Sequence, residues 1–360
     1  DSYNQAIKIK PDYAEAYNNM GNALRKNGDL DAAIDSYKQA LKIKPFYHEC
    51  FNYYNSLLIQ VSGTFSLNEE LQILGNKRLT RLLGENPKHH ILQSIMYFLK
   101  GDCEASSNSL KRYKTLDDVG KIKDYSDKDQ VFCNAYAHFT NHLIKKYPAL
   151  QSFNKNKIYH IGESHCLSYA HHSFTLEQQT FCVSPKLTIG GKAYHFSKPE
   201  NNDYKSITRH NLNSIPKKSS VLISFGEIDC RINEGFISAS QKTGTPLSEL
   251  VQKTVIGYVK WFLDANLSNN HRYKFFNVPA PVYQKEFTLS ENQEIANVVH
   301  LFNETLKANL RKYSFGLIDV YKPTKGENSF SNNLYHCDKV HLDCRILGII
   351  QDQIATCEMP

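Results

Sequence analysis

The chain has 360 residues, 41% of them hydrophobic, which suffices for one to three domains with sizeable cores. Its formal charge of +7 is spread along the sequence, and the basic pairs Lys145-Lys146 and Lys217-Lys218 are too short for a nucleic-acid arm. No apolar run approaches the roughly eighteen residues of a membrane span, and nine cysteines without a C-x-x-C pair argue against a zinc ribbon or a stapled secreted domain.

Residues 1–13 read DSYNQAIKIKPDY and residues 35–47 read DSYKQALKIKPFY, with ten of thirteen positions identical at an offset of 34. The unit between them resembles the tetratricopeptide (TPR) repeat family, whose period is 34 residues and whose unit is a pair of antiparallel helices. Tyr17, Met20, Gly21 and Leu24 match its first helix; Ala33, Tyr37, Ala40 and Pro45 match its second. Gly21 and Ala33 are small where the helices cross, Tyr17 and Tyr37 fill the space beside them, and Gly28-Asp29 makes the turn. Residues 1–13 correspond to a second helix without its first. A half-repeat cannot bury its apolar face alone, so the chain is expected to be a fragment with further repeats, and any targeting signal, ahead of it.

After Pro45 the pattern decays into divergent helices: FYHECFNYYNSLLIQ, LNEELQILGNKRLTRLL, HHILQSIMYFLKG, CEASSNSLKRYKTL and DQVFCNAYAHFTNHLIKKY (129–147). Their tyrosine-rich faces are expected to pack as core. The helical domain is thus placed at 1–147 and a linker, PALQSFNKN, at 148–156.

From 157 onward strands alternate with helices. KIYHIG (157–162) reads as a buried strand, with a helix expected from about Ser164. Strand-like segments follow at TFCVS and KLTIG, then VLISFG (221–226). SELVQKTVIGYVKWFLDANL is a helix, YKFFNVPAP a strand, QEIANVVHLFNETLKANLRKY a helix, FGLIDVY a strand, and HLDCRILGIIQDQI the last helix. The alternation predicts an α/β three-layer (αβα) domain over 157–360 with a mainly parallel sheet, its site at the carboxyl ends of the strands.

Three segments lie where such a site would form: Gly162-Glu163-Ser164, Gly226-Glu227-Ile228-Asp229 and Asp338-Lys339-Val340-His341. A serine on the turn after a strand, with a distant Asp-x-x-His, suggests a nucleophile, a base and an orienting acid. On a helical turn the spacing would put Asp338 and His341 on one face. His336 is a competing base, and His165 is expected to be structural. Cys166, Cys230 and Cys337, near the three segments, are expected as small buried residues.

Over roughly residues 155–357 these segments resemble the SGNH (GDSL-like) hydrolase superfamily. The resemblance implies Ser164 as nucleophile, His341 as base and Asp338 as its orienting partner. It also implies an oxyanion hole from Ser164 and a glycine N–H, Gly190 or Gly191 in TIGGKA. Glu163 stands where the family has aspartate. Ile228 stands where the family has an asparagine that completes the oxyanion hole, and losing one such donor slows acyl transfer by about a hundred- to a thousandfold. Glu227, Asp229 and Arg231 either grip substrate or form an internal carboxylate–guanidinium bridge.

The expected function is a serine esterase or acyltransferase on O-acyl esters, with carbohydrate O-acetyl groups the class that the resemblance implies. It calls for no metal and no cofactor. The repeats would hold a protein or peptide partner. The alternative is a non-catalytic interaction or scaffold protein whose α/β domain is a degenerate ligand binder. A third reading has the fragment modify or recruit for another enzyme, such as a glycosyltransferase, in the missing region. Reduced cysteines point to the cytoplasm.

Overall fold

The computed structural model describes residues 2–45, 47–61, 84–146, 156–176 and 178–355. The chain divides into two compact units, Asp1–Gln151 with Asn201–His210, and Ser152–Glu200 with Asn211–Pro360. The expected helix over LNEELQILGNKRLTRLL and all but the last residue of the expected linker lie outside the described residues.

The first unit carries helices α1 (Ser2–Ile9), α2 (Ala14–Asn27), α3 (Leu30–Ile43), α4 (His48–Val61), α5 (Pro87–Lys100), α6 (Cys103–Asp118) and α7 (Asp127–Lys146). The pair α2–α3 forms as the repeat predicts. Asp29 caps α3 by accepting from the Ala32 N–H. The Tyr37 side chain is fully buried and abuts Gly21, where a Cβ would come within 2.6 Å of Cε1; the hydroxyl donates to Asn22 at 2.7 Å. Residues Asn201–His210 pack in this unit too: Asp203 pairs with Arg25 at 2.7 Å, and His210 reaches the Val61 carbonyl.

The second unit is built on β1 (Asn156–Gly162), β2 (Ser173–Leu176), β3 (Gln179–Leu187), β4 (Ser220–Ser224), β5 (Arg272–Phe276) and β6 (Gly316–Ile318). The six strands run in the order β2-β3-β1-β4-β5-β6. β2 is antiparallel to β3 and every other pairing is parallel. The helices of this part of the chain are α8 (Ala193–Ser197), α9 (Asp203–Asn213), whose residues up to His210 belong to the first unit, α10 (Phe236–Thr243), α11 (Leu247–Ala265), α12 (Leu289–Lys312), α13 (Tyr321–Thr324) and α14 (Leu347–Ala355). Strand alternation makes the layers. Tyr273 and Phe275 turn their rings to Tyr258 and Phe262 of α11 on one face. Leu222, Phe276 and Ile318 meet Leu347, Ile350 and Ile354 of α14 on the other. The result is an αβα sandwich. The chain leaves β1 for β3 on one side and crosses back to β4 on the other, so the order reverses beside β1. Crevices at such switch points hold ligands.

Several expected elements differ in detail. TFCVS and the first two residues of KLTIG form the single strand β3, and the rest of KLTIG is a turn. The helix expected from Ser164 is one 3₁₀ turn, Ser164–Leu167, closed by the Cys166 N–H on the Glu163 carbonyl; the chain then turns back as β2. A turn this short carries little of a helix dipole to Ser164. Asp338–His341 lies on a loop, not a helical turn. Its shape comes from Asp338 Oδ1, which accepts from the N–H groups of Val340 and His341.

Candidate active site

β1 delivers the first part of the site. Its end is buried and runs close to β4: a Cβ on Gly162 would come within 2.8 Å of the Ser224 carbonyl oxygen, so only glycine fits. Glu163 and Ser164 follow at once, both buried. From the far end of the sequence, the 338–341 loop brings His341 to the same place. His341 Nε2 lies 2.8 Å from Ser164 Oγ, and His341 Nδ1 lies 2.7 Å from Asp338 Oδ2. Burial works against charge on Asp338, but hydrogen bonds from the His341 ring and from two backbone N–H groups hold its carboxyl well below the usual range. An acceptor of this kind fixes the imidazole with Nδ1 protonated and leaves Nε2 facing the serine.

Ser164 Oγ has a second neighbour: it donates to Glu163 Oε2 at 2.7 Å. A hydroxyl has one proton. While that proton points at Glu163 it is not offered to His341 Nε2; delivery to His341 requires the hydroxyl to rotate. Glu163 is a poor competitor for the proton itself. Burial favours its neutral form, but the attraction of His165 and hydrogen bonds from His165 and Ser164 outweigh that and lower its pKa to about 2. His165 lies with Nδ1 2.7 Å from Glu163 Oε1 and Nε2 2.9 Å from the Val340 carbonyl. Here too burial opposes the charge and the carboxylate overcomes it, raising the pKa to about 9.

His336 does not face the serine. Its Nδ1 is 2.8 Å from Ser331 Oγ, and burial lowers its pKa to about 4. Cys166 and Cys230 are buried and Cys337 half-buried; burial pushes the first two thiols far up and Cys337 to about 12, so none is a thiolate near neutrality.

After β3, the Thr188 N–H donates to the Gly162 carbonyl at 2.7 Å, tying the TIGG turn to the end of β1. The Gly191 N–H is used within that turn, on the Thr188 carbonyl at 3.1 Å. Gly190 sits at the tip with φ +68°. After β4, Ile228 is buried and brings no polar side-chain atom. The residues around it bond to one another. Arg231 Nε reaches both Glu227 oxygens at 3.0 Å, Nη2 reaches Glu227 at 2.7 Å, and Nη1 reaches Glu234 at 3.3 Å. Asp229 accepts from the backbone N–H groups of Ala193 and Tyr194 at 2.7 and 3.0 Å, which hooks α8 to this loop. Burial lifts its pKa to about 7 against the pull of those two donors. A small cavity lies among His160, Glu163, His165, Glu227, Asn277 and Leu342. Among the described residues no cluster of three His, Cys, Asp or Glu is arranged to hold a metal ion.

The geometry thus brings Ser164, His341 and Asp338 into one hydrogen-bonded line, and turns Glu227, Asp229 and Arg231 towards neighbours in their own unit. Glu163, read in the sequence only as a replacement of the family aspartate, His165, expected to be structural, and the Val340 carbonyl join the site. The adjacency of two ionisable side chains to the serine was the one sequence signal that pointed to them.

Residues 14–47 match the tetratricopeptide repeat family. No curated protein matches the chain. Among solved structures, a GDSL-like lipase of Bacteroides thetaiotaomicron VPI-5482 is 13% identical, over 61% of this chain and 96% of that one, with a TM-score of 0.38. A protein of Bacteroides fragilis NCTC 9343 described as an acylhydrolase is 15% identical, over 59% of this chain and 90% of that one, with a TM-score of 0.37. The first unit therefore contains a tetratricopeptide repeat, and the second has a mostly parallel αβα architecture of its own. Among the described residues no helix is long and apolar enough to cross a membrane.

Proposed function

We propose that the α/β unit is a serine-dependent esterase or acyltransferase of SGNH type. The observation that carries this reading is the 2.8 Å approach of Ser164 Oγ to His341 Nε2, in line with the bond from His341 Nδ1 to Asp338. Ser164 Oγ attacks the acyl carbon while its proton passes to His341 Nε2. The tetrahedral intermediate collapses, the ester C–O bond breaks, and Nε2 returns the proton to the leaving alkoxide. Water, or an acceptor hydroxyl in the transferase, then attacks the acyl-serine by the same route, and Ser164 recovers its proton. Asp338 keeps the ring oriented and offsets the imidazolium charge. The backbone N–H groups of Ser164 and Gly190 are the donors we assign to the oxyanion, since that of Gly191 is used in its own turn and Ile228 offers none. Carbohydrate O-acetyl esters are the proposed substrate class, on the resemblance of the three segments to the SGNH superfamily. A protein or peptide is the proposed partner of the helical unit, and a reducing compartment such as the cytoplasm its location, given an odd number of scattered cysteines, nine, without a C-x-x-C pair.

The buried Ile228 favours a second reading, a ligand-binding domain that has lost turnover. A chromogenic acetyl ester and a fluorophosphonate probe decide between them. The enzyme reading expects hydrolysis that Ser164→Ala abolishes and covalent labelling at Ser164. Equal rates for the two proteins, with Ser164 unlabelled, would hand the site to the binding reading.

A further inference from the structure

Resting on the serine reading, we propose that His165 is a positioning residue: a charged imidazolium that ties the nucleophile turn to the loop carrying His341. Both ring nitrogens of His165 lie within hydrogen-bond distance of oxygen acceptors, Nδ1 at 2.7 Å from the Glu163 carboxylate and Nε2 at 2.9 Å from the Val340 carbonyl. Neither acceptor can donate when Glu163 is ionised, and a neutral imidazole has only one N–H. Both bonds therefore exist together only if the ring is doubly protonated. The two acceptors belong to segments more than 170 residues apart in sequence (the Nε2 bond spans 175). One flanks Ser164 directly, and the other directly precedes His341. The His165 and His341 rings lie 5.1 Å apart at their centroids. A tie across these two backbones fixes the separation of Oγ and Nε2 without touching the reacting atoms.

The groups facing His165 allow the charge to persist. Glu163 on its own turn and Glu227 after β4 favour it. His160 of β1 and His336 of the C-terminal loop oppose it only if charged, and burial holds their pKa values at about 3 and about 4. His341 is a further neighbour. His165 stays charged until its pKa of about 9 is reached. Above that pH it keeps one N–H, so one of the two bonds is lost and the tie opens.

Two measurements on the full chain test this. Long-range proton–nitrogen spectra of the protein labelled with ¹⁵N-histidine, assigned by the signal missing from His165→Gln, should find both His165 nitrogens protonated at pH 7.5. A neutral tautomer there overturns the proposal, whatever the activity. The second is the rate at which a fluorophosphonate labels Ser164. Wild type should lose rate as pH passes about 9. His165→Gln, whose one amide nitrogen cannot stand where both ring nitrogens do, should label about tenfold or more slowly at pH 7.5 and lack that alkaline limb, as a displaced near-attack geometry requires. A folded His165→Gln that labels at the wild-type rate overturns the positioning role. Should the variant not fold, the wild-type limb and spectrum decide alone, and a flat wild-type profile between pH 8 and 10 overturns it. Wild type that takes no label defeats the serine reading, and the positioning role with it, while the spectra still report whether the ion pair exists.

Discussion

Asp338 holds His341 at two levels: Oδ1 accepts the backbone N–H of His341 at 2.7 Å, and Oδ2 accepts its ring Nδ1, also at 2.7 Å. One carboxylate thereby shapes the loop and selects the tautomer. Asp338→Asn retains an acceptor for one of these bonds but not for both. The ring is then free to adopt the tautomer with Nε2 protonated, which cannot accept from Ser164. Ester hydrolysis should fall by about 10³ to 10⁴, with KM little changed. Steady-state kinetics on a chromogenic acetyl ester check this.

His336 offers a control on the assignment of the base. Its Nδ1 bonds Ser331 rather than Ser164. His341→Ala should therefore abolish hydrolysis with His336 intact, and His336→Ala should leave more than about a tenth of the wild-type rate, the latitude of a residue outside the reacting line. Loss of activity only in the His336 variant would reverse the assignment.

The Glu163–His165 pair makes stability depend on pH in two opposite ways. The raised pKa of His165 adds stability that is complete below its ordinary value of 6.5 and fades as pH rises towards about 9. The lowered pKa of Glu163 adds stability that is complete above its ordinary value of 4.5 and fades as pH falls towards about 2. Both contributions are whole between pH 4.5 and 6.5. Glu163→Gln leaves a buried imidazolium without its counter-charge and should cost about 3–5 kcal/mol in that window. The gap to wild type should narrow above pH 9, where His165 is neutral in either protein. Denaturant unfolding at pH 5.5, 7.5 and 9.5 measures it.

The sequence made some of this legible for definite physical reasons. The period of 34 carried the helix pair because Gly21, Ala33, Tyr37 and Ala40 are residue types dictated by one crossing. Ser164 and the Asp-x-x-His pair stood out because each follows or closes a recognisable element. What stayed hidden depends on atoms that have no sequence signature. The partner of His165 across the site is the Val340 carbonyl, and those of Asp229 are the N–H groups of Ala193 and Tyr194. Local spacing also misled: an i, i+3 pair reads as a helical turn, yet at Asp338 and His341 a loop satisfies it through carboxylate-to-backbone bonds. The 3₁₀ turn after Glu163 is too short to have a periodic pattern.

The contact between Gly21 and Tyr37 gives a clean test of the helix pair. A Cβ at position 21 would sit 2.6 Å from Cε1 of a ring with no exposed surface, held at its far end by the bond to Asn22. The ring cannot retreat without breaking that bond. Gly21→Ala should therefore destabilise the helical unit by about 1–3 kcal/mol, although alanine is the better helix former by about 1 kcal/mol. The loss should appear in a Tm measurement and leave labelling of Ser164 unchanged.

Asp229 tests whether the loop after β4 is a structural hook. Its two oxygens are the acceptors of the N–H groups that open α8, and the side chain is almost wholly buried. Asp229→Ala leaves both donors without that acceptor in a site closed to water. Each orphaned donor costs about 1–3 kcal/mol, so unfolding should come at least about 2 kcal/mol earlier. Because burial raises the Asp229 pKa to about 7, its ionisation weakens the native protein as pH climbs from its ordinary value of 3.8 towards 7. The difference between wild type and variant should accordingly be larger at pH 5 than at pH 8. A substrate-gripping carboxylate predicts another outcome: KM would rise in Asp229→Ala with stability unchanged, and denaturant titrations paired with ester kinetics at both pH values separate the two.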